Sequence, residues 1–64
     1  MDLIQALMSQ YQGEMDMAMA NIEIYRNNPA GIGEHPDVFE AMETEILEIA
    51  KYDDVLEMLD KYFS

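Results

Sequence analysis

Asn27-Asn28-Pro29-Ala30-Gly31-Ile32-Gly33-Glu34-His35-Pro36-Asp37 collects both prolines, two of the three glycines and the only histidine of a 64-residue chain. Pro29 lacks a backbone donor and biases Asn28 away from helical dihedrals, so a helix arriving from the N-terminal side must stop there. Gly31 and Gly33 can adopt positive φ, which lets the chain reverse within a few residues. The stretch sits near the middle of the sequence, and both flanks carry apolar residues at helical spacing. It therefore reads as the corner of a helical hairpin.

Upstream of the corner, Asp2 followed by Gln5 is a capping-box pattern that starts a helix almost at the first residue. Ile4, Met8, Tyr11, Met15, Ala18, Ile22 and Tyr25 then recur with alternating steps of four and three, an unbroken heptad seam. Gly13 lies off this seam and is expected either to cost about 1 kcal/mol against alanine in an exposed helix interior or to mark a close helix contact or a bend. Leu3, Met17, Met19 and Ile24 also lie off it, and they widen the apolar surface beyond what one neighbouring helix covers.

Downstream, the second helix has two possible starts. Pro36 can be its first residue with His35 as cap, or Asp37 can cap it with Glu40 reaching back, and aspartate is the better cap. Phe39, Met42, Ile46, Ile49, Tyr52, Leu56, Leu59 and Phe63 are the expected buried stripe. One short step between Ile49 and Tyr52 predicts a locally loosened supercoil. Leu47, Val55 and Met58 fall outside the stripe, and Glu45 falls at its border.

Neither flank alternates with period two, so no strand competes. The expected fold is all-α: one domain over 1–64, with a helix over about 2–27, a corner over about 28–36 and an antiparallel helix over about 37–63.

A chain this short buries a small share of its surface, and small scaffolds usually rely on a disulfide, a metal or a partner. There is no cysteine, and a single histidine rules out a histidine-rich metal site within one chain. Half of the residues are apolar, more than one hairpin hides. A homodimer or higher oligomer, most simply two hairpins forming a four-helix bundle, is the expected remedy. Its interface is expected at Met17, Met19, Ile24, Leu47, Val55 and Met58. Seven methionines suit a pliable core or an adaptable binding face.

Fourteen acids against three bases give a formal net charge of −11. That charge opposes binding to a phosphate backbone, where cations must replace released counterions, and opposes adsorption to anionic membranes. It favours a basic protein partner. No apolar run approaches the ~20 residues needed to span a bilayer. Met1-Asp2-Leu3 opens without a basic and apolar leader, so a cytoplasmic protein is expected.

Catalytic constellations do not emerge. Ser9, Thr44 and Ser64 have no histidine nearby, and carboxylates on two helices lack the pocket that would separate an acid from a base. Gly31-Ile32-Gly33 is too short for a phosphate-binding fingerprint and no strand precedes it. Glu34, His35 and Asp37 cluster in a loop but lack the spacing of a calcium loop or of a di-metal bundle. The expectation is no catalytic residue, no metal and no cofactor. The corner residues Asn28, Gly31, Ile32, Gly33 and His35 are one candidate partner-binding surface, and the acidic helix faces are the other. The rival arrangement is a carboxylate-rich metal or small-ligand site built across a dimer from Glu14, Glu45 and their mates.

Two resemblances bear on the corner. His35-Pro36-Asp37 after Tyr25-Arg26 is similar to the corner of J-domain co-chaperones, but that family meets its partner with a basic helix and only Arg26 is available here. More broadly, Asn28-Pro29-Ala30-Gly31-Ile32-Gly33-Glu34-His35-Pro36 and the ending Lys61-Tyr62-Phe63 resemble small, acidic, uncharacterised proteins of T-even-like tailed phages of marine bacteria. That resemblance implies a setting in an infected bacterium and no particular activity.

Overall fold

A computed structural model of the chain describes residues 2–27 and 36–63. They form two helices, α1 (Leu3–Arg26) and α2 (Pro36–Phe63). The corner residues Asn28, Gly31, Ile32, Gly33 and His35 lie outside the described residues.

α1 begins as its sequence dictates. Asp2 is extended at φ −89°, ψ 177°, and its side chain accepts from the Gln5 N–H at 2.8 Å while the Gln5 side chain accepts from the Asp2 N–H at 3.1 Å. Two donors that the first turn would leave unpaired are thereby satisfied reciprocally. The helix runs without interruption through Gly13 and ends at Arg26, ahead of Pro29. Arg26 pairs with Glu23 one turn back at 2.8 Å, a cation placed at the negative end of the helix dipole. α2 begins at Pro36, one residue ahead of the expected Asp37 cap. Proline is preorganised for the first helical position, and Asp37 then contributes as an acid within the first turn.

Cross-helix pairs define the packing. Tyr11 stacks on Tyr52 and Asn21 bonds to Glu45, so residue numbers rise along one helix as they fall along the other and the hairpin is antiparallel. The molecule measures 45 × 16 × 13 Å, its long axis close to the ~42 Å that α2 spans at 1.5 Å per residue. Met15 and Ala18 of α1 and Leu59 of α2 are buried, and the rest of the α1 seam is half-buried as its heptad spacing predicts. Two helices meet along one line, so each seam residue is covered on one side only.

The inner face of α2 departs from the expected stripe. Phe39, Ile46 and Phe63 are about half exposed, while Val38 and Glu45 are half-buried. With Val38 and Glu45 in place of Phe39 and Ile46, the inner series runs Val38, Met42, Glu45, Ile49, Tyr52, Leu56, Leu59. Its steps alternate four and three throughout, so the short step between Ile49 and Tyr52, with the loosened supercoil expected from it, belonged to the wrong register. A straight partner helix accepts side chains at heptad positions whatever their polarity, and Glu45 is the residue that falls there. Phe63 fails for a different reason: it stands level with the start of α1, where no partner remains to cover it.

Candidate functional site

Bringing Glu45 inward shapes a concavity between the two helices. It is a cleft of about 350 Å³ between the helices, lined by Glu14, Met17, Ala18 and Asn21 of α1 and by Glu45, Glu48 and Tyr52 of α2. Heptad geometry explains the set. Glu14, Met17 and Asn21 follow one another at steps of three and four along one flank of α1, and Glu45, Glu48 and Tyr52 do the same on α2, so two edges face one another across the groove.

Polar groups from both helices meet in the cleft. The Asn21 Nδ2–H donates to Glu45 Oε1 at 3.2 Å. Glu14 and Glu48 both stand near the Tyr52 phenol, whose single proton can be donated to one carboxylate at a time, and hydrogen bonding to them, more than burial or the two negative charges, pushes its pKa well above the ordinary tyrosine value. A phenol that donates to a carboxylate must give up that bond, and meet like charge, on ionising. The Tyr52 ring is held as well: its centroid lies 5.2 Å from that of Tyr11 at an interplanar angle of 23°, and Lys51 Nζ stands 5.4 Å from it. The phenol therefore shares the cleft with Glu14 of one helix and Glu48 of the other.

Carboxylates, an amide and a phenol around an open groove can accept hydrogen bonds from a cation such as a lysine ammonium or an arginine guanidinium, with Met17 beside the apolar stem. Among the described residues, no group of three metal-ligating side chains is placed to hold an ion. Glu14 and Glu45, expected to meet only across a dimer, already share this cleft within one chain. Glu48, Asn21 and Tyr52 line it as well; on α2, a series that admits Glu45 leads to Glu48 and Tyr52 at steps of three and four, whereas Asn21 of α1 is brought in by the packing alone.

The expected interface residues divide. Met17 is 68% exposed, Ile24 64% and Leu47 63%, and Met19 and Met58 are also open to solvent. Val55 is half-buried instead, on the flank of α2 that also carries Glu48. A smaller groove of about 220 Å³ runs along α2 between Asp54, Glu57, Met58, Lys61 and Tyr62. No described helix is long and apolar enough to cross a membrane.

Comparison with known proteins matches no family model, and no curated protein or solved structure is significantly similar to the chain.

Proposed function

We propose that the chain is a non-catalytic, acidic, helical interaction module that self-associates and takes a basic protein partner on its carboxylate-lined side. The observation that carries this reading is the convergence of Glu14, Glu45 and Glu48 from two helices on one open cleft, in a chain of net charge −11. The resemblance at the corner suggests that the partner is a phage or host protein in the cytoplasm of an infected bacterium.

Binding of a lysine-rich peptide, followed by fluorescence anisotropy, tests the cleft. Affinity should fall steeply with added salt, because opposite charges at a solvated surface are screened. Replacing Glu14, Glu45 and Glu48 together by Gln should weaken binding by about tenfold, a loss near 1.4 kcal/mol. The same charge change at Glu40, Glu43 and Glu57, away from the cleft, should cost much less. Equal losses from the two triple variants would refute a cleft and leave only a diffuse negative field.

The rival reading places a divalent cation among these carboxylates with further ligands from a second copy, and the shared cleft of Glu14 and Glu45 favours it. Calorimetric titration with magnesium and calcium decides it: no heat and no thermal shift remove the idea.

A further inference from the structure

Leu3, Gln10, Met17 and Ile24 recur at every seventh residue on the outer side of α1, which borders the cleft at Met17, and Ala6, Gly13 and Ala20 interleave with them at steps of three and four. This is a second heptad seam on the same helix, and every member of it is exposed, Leu3 to 87%. It contains no charge, although the chain is strongly acidic. A heptad seam is complementary to another helix, and a small residue at every seventh position lets two helix backbones approach closely. Among the described residues nothing accounts for Gly13: a Cβ added there meets no atom within 4 Å, and glycine within a helix is unfavourable.

We propose that this face of α1 packs on the same face of a second copy of the chain, about a twofold axis passing near Gly13. The inference rests on the self-association in the proposed function and names its surface. Three observations select a second copy as the occupant. A twofold contact requires a self-complementary patch, and Gly13 lies at the midpoint of the seam with Ala6 and Ala20 seven residues to either side. In either relative helix direction, small residues meet small ones and large meet large. The area also matches: the chain exposes 4897 Å², whereas a compact protein of 7.4 kDa exposes about 4200 Å². The excess of about 700 Å² belongs to the elongated hairpin as a whole, and a standard interface would remove ~800 Å² from each partner. Finally, Asp37, Glu40, Glu43, Glu45, Glu48, Asp53, Asp54, Glu57 and Asp60 all lie on α2, so joining through α1 keeps the most acidic helices on the outside.

Glu14 and Asp16 flank the seam and are brought near like charges in the pair, so added salt should strengthen self-association. This is the reverse of its effect on a basic partner. Sedimentation velocity from low micromolar to millimolar chain, at low and high salt, reads both the stoichiometry and this sign. Gly13→Gln is the informative variant: glutamine is the better helix former and meets open space in the single chain, so circular dichroism should show helicity kept or raised. Against a close backbone approach, the added side chain should weaken the dimer by about tenfold or more. Met19→Gln, on the other flank of α1, should leave it unchanged. A dimer as tight in Gly13→Gln as in the wild type, or one broken instead by Met19→Gln or Leu47→Gln, overturns the α1 seam while leaving self-association standing. A wild-type chain that stays monomeric at millimolar concentration overturns the self-association reading itself.

Discussion

Glu45→Leu should stabilise this protein, although it removes a hydrogen-bonded residue. Glu45 occupies an inner heptad position of α2 and is half-buried there. Full burial of a leucine side chain contributes ~1.5–3 kcal/mol, so a half-covered one contributes about 1 kcal/mol. Leucine is also at least as good a helix former as glutamate. The hydrogen bond from Asn21 is lost, and such bonds contribute about 1 kcal/mol. Asn21 is itself half-exposed and lines an open groove, so water replaces most of that bond. Removing one carboxylate from beside Glu14 and Glu48 relieves like-charge repulsion by up to about 1 kcal/mol at water-like screening. The sum is a gain of about 1 kcal/mol, which raises the midpoint of a domain this size by ~4–8 °C. Thermal melts followed by circular dichroism, at one fixed chain concentration because self-association makes the midpoint concentration-dependent, measure it. Ile46→Gln is the companion: Ile46 is 49% exposed, so it should cost only about 1 kcal/mol. A lowered midpoint for Glu45→Leu together with severe destabilisation by Ile46→Gln would refute the α2 register and restore Ile46 to the seam.

Leu59→Ala should be the costliest single truncation on α2, because Leu59 is only 5% exposed; chemical denaturation should show a loss of about 2–4 kcal/mol, and a loss no larger than that for Leu47→Ala would contradict the packing. Tyr52 should make stability fall at alkaline pH. Its folded pKa lies above the ordinary value near 10, so its contribution is complete below about pH 10 and declines as pH climbs toward the raised value. Melts across that range should slope less in Tyr52→Phe than in the wild type, and parallel profiles would show that the phenol is not tied to Glu14 and Glu48.

Much of the fold was legible along the chain because the interactions responsible are local. The Asp2–Gln5 capping box spans three residues, and the α1 seam is a run of apolar side chains that hydropathy reports directly. The α2 register was not legible by the same means. Hydropathy ranks Ile46 above Glu45, but a helix packed along a straight neighbour buries whatever falls at steps of three and four.

Helical character, hairpin topology, the capped start of α1 and the acidity of α2 were determined by the sequence alone, since propensity, capping and composition act over a few residues. Only the tertiary structure decided that Glu45 points inward, that Asn21 meets it, and that Glu14, Glu48 and the Tyr52 phenol line one cleft. Apart from Glu48 and Tyr52, one turn apart on α2, these pairs join residues from different helices, and their meeting depends on how far one helix slides and turns against the other.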